Sequence, residues 1–301
     1  KFKIMGELGR GAFSTVYKVC RLEDGEVYAL KKVQIGELKQ KELENSLNEV
    51  RILASVHHPN IVAFREAYLE EDSCHLCVVM DYAGGGDLAR KVRECRERKV
   101  RFPESLIIRF FYQLTSALHE LHSRHIIHRD LKAANVFLTA DLKSVRLGDM
   151  NVSKIAKSAF AYTQTGTPYY ASPEVWRDEP YDVKADVWSL GCVVYEMCML
   201  RPPFNAADMD GLFQKVQSCR PDGFDTFYSR TLRDCVSRLM VYEGADRPSC
   251  EKILAFPIFN DLKLLLGETS CLQAESVFDF PQPLIDTIKD FHDFKELARA
   301  L

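Results

Sequence analysis

The chain has 301 residues, of which 47% are hydrophobic and 28% charged, so it can bury the core of one large domain or two smaller ones. Its net charge of −3 gives no overall attraction to nucleic acid or to an anionic membrane, and we expect neither as a partner. The longest nearly apolar run, LGCVVYEMCML at 190–200, is too short to span a bilayer. The composition therefore predicts a soluble globular protein.

The ten cysteines are scattered along the chain, and several lie in runs typical of buried helix, among them Cys192, Cys198 and Cys235. This distribution favours free thiols in a reducing compartment, the cytosol or the nucleus. The first residues, KFKIMGELG, lack the apolar region of a signal peptide. Because the chain begins at Lys1 rather than Met, we expect it to be a trimmed piece of a longer protein.

The first third of the chain is predicted to be rich in strands. Residues 1–35 alternate apolar and polar side chains, with turn residues at Gly9, Gly11 and 23–25, which predicts three antiparallel strands. Helical spacing over 38–56 predicts a helix, and two further strands are predicted around 61–68 and 75–81. The AGGGD segment at 83–87 then interrupts the pattern and predicts a hinge.

Helices dominate the remainder. They are predicted over 88–99, 105–123, 184–200, 209–217, 231–241 and 250–255. The tail opens with two prolines and then spaces Leu284, Ile288, Phe291 and Phe294 by three or four residues, which predicts an amphipathic helix. Such a helix could dock on the body of the protein or project from it.

Two segments resemble metal sites but favour a simpler interpretation. CHLC at 74–77 has the C-x-x-C spacing of a zinc site, yet no second Cys/His pair lies at zinc-ligand spacing and a predicted strand follows directly. We therefore expect cysteines in a core strand. His57 and His58 precede Pro59 and Asn60, which favours helix capping or hydrogen bonds within a turn.

Two features of the strand-rich region could bind phosphate. LGRGAFSTV at 8–16 places glycines two residues apart in a strand-turn-strand context, where backbone amides could approach a phosphate, although an ordinary turn has the same pattern. The strand YALKK at 28–32 presents Lys31, whose ammonium could reach the α- and β-phosphates of a nucleotide if Glu49 holds it. Lys31 or Glu49 alone would be more typical of a solvated surface. Their order along the chain, however, favours the phosphate-binding interpretation.

The strongest signal is HRDLKAANVFL at 128–138. Here Asp130 would accept the proton of a substrate hydroxyl, Lys132 would neutralise the γ-phosphate and Asn135 would bind magnesium. Asp149, nineteen residues after Asp130, would supply a second oxygen ligand for this hard cation. The pattern predicts phosphoryl transfer from magnesium-bound ATP.

Three more segments complete the pattern: GTPYYASPE at 166–174, DVWSLGCVVYEM at 186–197 and ADRPS at 245–249. With them the chain resembles the eukaryotic protein kinases over residues 2–260. The resemblance implies an α+β, two-lobed fold with a kinase domain at 1–262, divided into a small β-rich N-lobe at 1–80, a hinge at 81–86 and a larger helical C-lobe at 87–262. Residues 263–301 would form a C-terminal extension.

The family pattern implies a role for each candidate residue. The catalytic residues would be Lys31, Glu49, Asp130 and Lys132. The ATP-binding residues would be Leu8, Gly9, Gly11, Val16, Ala29, Lys31, Met80, Asp81, Ala83 and Phe137, with Val16 and Ala29 above the adenine, Phe137 below it, and Asp81 and Ala83 offering backbone groups to its edge. The magnesium ligands would be Asn135 and Asp149. Glu174 would pair with Arg247, and Asp186 would hold the backbone of the catalytic loop.

Among kinase subfamilies, HPNIV, GGGDL, NVFL and GTPYYASPE are most similar to the NIMA-related (NEK) kinases. A sterile-twenty-like subfamily shares the HRDLKAAN-type loop but more often has Trp at the position of Tyr170. The resemblance implies serine and threonine hydroxyls of proteins as substrates, ATP and Mg²⁺ as cofactors, and a monomeric kinase domain. It also implies a role in the cell cycle, at the centrosome or in cilia. The expected location is the cytoplasm, with the centrosome or basal body, or the nucleus, as further possibilities.

The segment GDMNVSK at 148–154 departs from the family pattern, because Met150 and Asn151 replace the usual Phe and Gly after Asp149. A long thioether can fill the space of Phe, and Asn tolerates left-handed backbone torsions. Since Lys31, Asp130 and Asn135 are also retained, we predict an active enzyme. The alternative is a nucleotide-binding pseudokinase or scaffold with little transfer activity.

Overall fold

The computed structural model describes residues 1–11, 14–35, 50, 54–70, 75–148 and 168–264. Contacts between Cα atoms divide them into two compact units. The first unit contains the described residues of Lys1–Ser55 and Ala63–Tyr82, and the second contains those of Val56–Val62 and Ala83–Leu266. Within the described residues the chain passes between the units after Ser55, after Val62 and after Tyr82, and the last of these points lies within the segment 81–86 predicted as a hinge.

The first unit is built on a five-stranded antiparallel sheet. Its strands are β1 (Phe2–Arg10), β2 (Ser14–Arg21), β3 (Val27–Gln34), β4 (Phe64–Glu70) and β5 (His75–Asp81), in the order β1-β2-β3-β5-β4. The three strands predicted from residues 1–35 are confirmed. Of the helix predicted over 38–56, the described residues Val50, Ala54 and Ser55 are helical, whereas Val56 is not.

Apolar residues pack against both faces of this sheet. One cluster contains Val19, Tyr28, Leu30, Cys77 and Val79, and the other contains Ile35, Leu76 and Val78. Consecutive residues of β5 alternate between the two clusters, because side chains of a strand point to opposite faces in turn. Cys77 is a fully buried free thiol, as expected for a core strand, whereas Cys74 lies outside the described residues.

The second unit is mainly helical. Its helices are α1 (Leu88–Glu97), α2 (Glu104–Ser123), α3 (Pro173–Trp176), α4 (Lys184–Met199), α5 (Met209–Ser218), α6 (Arg230–Leu239) and α7 (Cys250–Leu254). A short antiparallel hairpin joins β6 (Val136–Leu138) to β7 (Val145–Leu147). The predicted helices are confirmed to within two residues at each end, while the single turn of α3 is too short for periodicity to predict. None of the helices in the described ranges is long and apolar enough to cross a membrane.

Helix α4 is the centre of the second unit. Its residues are buried on every side, and it packs against both α2 and α6. Gly191 allows α6 to approach closely, because a Cβ there would lie 2.8 Å from Cγ of Met240 and 2.9 Å from Cβ of Leu239. The run LGCVVYEMCML is therefore a core helix, which explains why it is apolar all round.

The glycines at the junction between the units have specific structural roles. The amide of Gly85 donates to the Leu138 carbonyl, and a Cβ at Gly85 would collide with the backbone oxygens of Leu138 and Thr139. Gly86 has a φ of +78°, in the left-handed region that favours glycine. Asp87 then begins α1, because its Oδ1 accepts a hydrogen bond of 2.8 Å from the amide of Arg90.

The segment Val56–Val62 belongs to the second unit although it directly precedes a strand of the first. Ile61 bridges to Leu147 of β7, and the amide of Val62 donates to the Leu147 carbonyl at 2.9 Å. The predicted strand around 61–68 accordingly begins only at Phe64.

His58 makes one hydrogen bond within the predicted turn and has a second contact outside it. Its Nδ1 accepts a bond of 3.1 Å from the amide of Asn60, and its Nε2 lies 2.9 Å from Oγ of Ser116. No group of three His, Cys, Asp or Glu side chains among the described residues is arranged to hold a metal ion.

Candidate active site

The catalytic-loop residues of the second unit converge on Asp130. The Nζ atom of Lys132 lies 2.9 Å from its Oδ2. The Nδ2 atom of Asn135 donates to the Asp130 carbonyl at 2.8 Å and to its Oδ2 at 3.2 Å. A 3₁₀ turn at Ala133–Asn135 turns the chain back so that Asn135 reaches Asp130. The structure thus brings together the predicted proton acceptor, the predicted phosphate-neutralising lysine and one predicted magnesium ligand.

The geometry of Asn135 fits a hard cation. Because Nδ2 donates to Asp130, the amide oxygen Oδ1 is the atom that could bind Mg²⁺, which prefers oxygen ligands. The backbone carbonyl of Asn135 accepts a hydrogen bond of 3.0 Å from the amide of Gly148, the residue directly before Asp149. Asp149, the other predicted ligand, lies outside the described residues.

His128 connects the catalytic loop to Gly148. Its Nδ1 accepts a hydrogen bond of 3.3 Å from the amide of Asp130. Its Nε2 lies 3.1 Å from the Gly148 carbonyl, which can only accept, so the ring proton is on Nε2. His128 is fully buried. The ring therefore fixes the spacing between Asp130 and the residue that precedes Asp149, a role that the sequence analysis did not assign.

Asp186, in the first turn of α4, holds the backbone just before Asp130. Its Oδ2 accepts from the amide of His128 at 2.8 Å, and its Oδ1 accepts from the amide of Arg129 at 2.9 Å. Arg129 has a φ of +67°, which is costly for a residue other than glycine. The buried carboxylate stabilises this conformation and so sets the position of Asp130 in the chain.

Tyr170 and Glu196 form a buried contact that the sequence analysis missed. The Tyr170 hydroxyl donates to the carboxyl group of Glu196, while Oγ of Ser189 donates to the Tyr170 carbonyl at 2.9 Å. Burial raises the pKa of Glu196, against the opposing effect of the tyrosine hydrogen bond. The signal available in the sequence was a single acid within the apolar run at 190–200, because a buried carboxyl needs a partner.

In the first unit, the strand register places several candidate nucleotide-binding residues on one face. Val16 of β2 lies opposite Lys31 of β3, and Ala29 of β3 lies opposite Met80 of β5. Since Ala29 and Lys31 are two residues apart on one strand, both pairs share a face of the sheet. Gly9 of β1 pairs with Val16 and extends this row to the next strand.

The remaining candidate nucleotide-binding residues of the first unit are either exposed or have backbone amides that donate hydrogen bonds within the unit. Leu8 is exposed, at a register shift between β1 and β2. The amide of Gly11 donates to the Ser14 carbonyl at 2.7 Å. The amide of Asp81 donates to the Ala63 carbonyl at 2.9 Å, so any contribution of Asp81 to an adenine edge would come from its carbonyl oxygen. Glu49 lies outside the described residues.

Two candidate nucleotide-binding residues, Ala83 and Phe137, belong to the second unit. Ala83 is half-buried and precedes the close turn of Gly85. Phe137 lies on β6, and its ring is so close to Gly148 that a Cβ on that glycine would lie 2.8 Å from Cε2 of the ring. The Phe137 ring and the backbone before Asp149 therefore position each other.

Comparison with known proteins identifies the family. The protein-family model described as "Protein kinase domain" matches residues 2–259 of the sequence. The chain is 38% identical over 292 residues to mouse serine/threonine-protein kinase Nek1, covering 94% of this chain and 24% of Nek1. It is 36% identical over 260 residues to the probable serine/threonine-protein kinase nek2 of Dictyostelium discoideum, covering 85% of this chain and 62% of that protein. It is 35% identical over 268 residues to human Nek2, covering 87% and 60%.

The chain thus spans less than two thirds of the length of each of these three relatives. The matched residues include the segments LGRGAFSTV at 8–16 and HRDLKAANVFL at 128–138, and the central helix α4. Three of the family's polar catalytic-loop positions, at Asp130, Lys132 and Asn135, form one hydrogen-bonded cluster. The chain belongs to the protein kinase family, in its NIMA-related serine/threonine branch.

Proposed function

We propose that this chain transfers the γ-phosphoryl group of ATP to serine and threonine hydroxyls of proteins, with Mg²⁺ as the metal. The observation that carries the proposal is the cluster in which Lys132 and Asn135 both contact Oδ2 of Asp130. Phosphoryl transfer depends mainly on positioning and on neutralising charge, and these three side chains supply both.

Asp130 orients the substrate hydroxyl and accepts its proton as the new bond to phosphorus forms. Lys132 and Asn135 fix the orientation of its carboxylate, and the ammonium of Lys132 also neutralises negative charge on the transferred group. Lys31 binds the α- and β-phosphates. Bound magnesium would neutralise the phosphate oxygens, with Asn135 and Asp149 as its proposed protein ligands.

The ATP-binding role of the first unit is supported by the shared sheet face of Val16, Ala29, Lys31 and Met80. This row combines apolar side chains with one ammonium group. An adenine ring needs apolar contacts and phosphates need positive charge, so the row has the chemistry that ATP requires.

Cell-cycle control is the biological role that we propose from the relatives. One of them is the G2-specific protein kinase fin1 of Schizosaccharomyces pombe, 34% identical over 318 residues and covering 98% of this chain and 44% of that protein. We propose that the whole protein acts in the cytoplasm, at the centrosome or basal body, or in the nucleus. Fluorescence microscopy of the tagged full-length protein through the cell cycle tests this directly.

The test of the proposed activity is transfer of labelled phosphate from ATP to a generic basic protein, followed by identification of the labelled amino acids. We expect phosphoserine and phosphothreonine with Mg²⁺ and none when the metal is chelated. Nucleotide binding without transfer, in protein whose melting curve shows that it is folded, would contradict the proposal and favour the pseudokinase or scaffold alternative.

A further inference from the structure

A buried cysteine contacts the histidine that binds Asp186. The Sγ atom of Cys250, the first residue of α7, lies 3.4 Å from Nδ1 of His122, at the end of α2. The other ring nitrogen, Nε2, lies 2.9 Å from Oδ2 of Asp186. Cys250 is 2% exposed, Asp186 is 1% exposed and the His122 side chain is 10% exposed, so water contributes little to these contacts.

Hydrogen-bond chemistry assigns the donor and acceptor at each contact. Both oxygens of the Asp186 side chain accept from backbone amides, so this group acts as an acceptor and Nε2 of His122 donates to its Oδ2. Burial raises the pKa of Cys250 to about 12, so its sulfur carries a proton and can donate to Nδ1. For a neutral imidazole, which has one ring proton, the two contacts are compatible only when that proton is on Nε2.

This arrangement completes the set of donors around Asp186. The carboxylate then accepts from three N–H groups: the ring of His122 and the backbone amides of His128 and Arg129. Those amides directly precede Asp130. A change in the orientation of His122 would therefore alter a carboxylate that fixes the backbone next to the proposed proton acceptor.

The start of α7 does not need Cys250 as a cap. Ser249 already caps this helix, because its Oγ accepts a hydrogen bond of 3.3 Å from the amide of Lys252. A small apolar residue could fill the volume of Cys250 but could not donate to His122. The donor function of the thiol is thus separable from its packing.

We propose that Cys250 is a positioning residue for phosphoryl transfer, whose thiol donates to Nδ1 of His122, holds the ring proton on Nε2 and thereby keeps Asp186 bound to the backbone before Asp130. The kinetic consequence rests on the proposed kinase function. The position of the His122 ring proton does not depend on that function. It can be measured whether or not the protein transfers phosphate.

The first test is the tautomer of His122 in the wild-type protein, read from ¹⁵N chemical shifts and ring couplings in NMR spectra at pH 7. We expect the proton on Nε2, with Nδ1 unprotonated, and a measurable shift of the Nδ1 resonance in Cys250→Ala. A proton on Nδ1 in the wild-type protein, or an Nδ1 resonance that is unchanged in Cys250→Ala, would overturn the proposal. The position of the ring proton is read from the wild-type spectrum alone, so this part of the test does not require Cys250→Ala to fold.

The second test compares Cys250→Ala with Cys250→Ser, which restores a donor. We expect Cys250→Ala to lower kcat about five-fold with KM for ATP and peptide unchanged, the loss of roughly one hydrogen bond, and Cys250→Ser to recover kcat to within about two-fold of wild type. Cys235→Ala is the matched control, since it removes another buried sulfur of the second unit, on α6. Equal kcat for Cys250→Ala and wild type, equal losses in Cys250→Ala and Cys250→Ser, or an equal loss in Cys235→Ala would overturn the proposal.

Discussion

Arg247 and Glu174 face each other in a buried two-point contact, with Nη1–Oε1 at 2.7 Å and Nη2–Oε2 at 2.8 Å. The guanidinium side chain is fully buried and the carboxylate is 13% exposed. The arginine also donates to the backbone carbonyls of Lys184, Val241 and Tyr242. Every nitrogen of the guanidinium is therefore bonded, which allows a full charge to be buried in the second unit.

We predict that Arg247→Ala lowers the free energy of unfolding by about 3–5 kcal/mol, because it leaves the Glu174 carboxylate buried without its partner. Chemical denaturation measures this change. Arg230→Ala is the control, since Arg230 is 87% exposed and pairs with Asp234 at 3.6 Å on the surface of α6. The control should change stability by no more than about 1 kcal/mol. Equal losses in the two variants would contradict the importance of the buried pair.

The stability contributed by Glu174 should depend on pH. Burial alone would raise the pKa of this carboxyl group, but the hydrogen bonds and charge of Arg247 outweigh burial and hold the pKa below its ordinary value. A glutamate in the unfolded chain has a pKa of about 4.3. The lowered pKa therefore stabilises the folded protein above about pH 4.3, and this contribution is lost as the pH falls through the folded-state pKa.

Glu174→Gln cannot titrate, so its difference in unfolding free energy from wild type should be largest at neutral pH. It should shrink as the pH falls below about 4.3. Denaturation curves of both proteins from pH 7 to the lowest pH at which they fold measure this difference. A difference that grew on acidification would show that the sign of the pKa shift is wrong.

We predict that Gly148→Ala destabilises the protein by about 1–3 kcal/mol and raises KM for ATP. A Cβ at Gly148 would lie 2.8 Å from the Phe137 ring and 2.9 Å from Cγ2 of Val62, so these side chains must shift. Phe137 is the proposed floor of the adenine site. Gly6→Ala is the control, because a Cβ on Gly6 meets no atom within 4 Å. Equal melting temperatures and equal KM values for the two variants would contradict the packing argument.

Local periodicity predicted most of the fold. The alternation in β1–β3 and the helical spacing of α1, α2 and α4–α7 depend on which side chains face a core, and that information is local. The placement of Val56–Val62 in the second unit was not predicted, because it depends on the pairing of Ile61 with Leu147, far apart in the sequence. Periodicity shows that a segment is extended, but not which sheet it joins.

The cluster of Asp130, Lys132 and Asn135 was predicted through resemblance to a family, as were the contacts of Asp186 with the backbone before Asp130 and of Glu174 with Arg247. Other supporting contacts were not predicted. Asp130, Lys132 and Asn135 lie within six residues of one another, so a single motif contains them. The contacts Tyr170–Glu196 and Cys250–His122 join residues 26 and 128 positions apart. Predictions for Glu49, Asp149, Met150 and the tail concern residues outside the described ranges and stay predictions.

In the proposed reaction, Asp130 accepts the proton of the substrate hydroxyl. The most direct measurement is the rate of phosphate transfer from ATP to a serine-containing peptide by purified wild-type protein and by Asp130→Asn, with Lys31→Met as a second variant. We predict that Asp130→Asn lowers kcat by at least about 100-fold without changing the melting temperature by more than a few degrees, and that Lys31→Met also lowers turnover by orders of magnitude. Turnover by folded Asp130→Asn at close to the wild-type rate would contradict the claim.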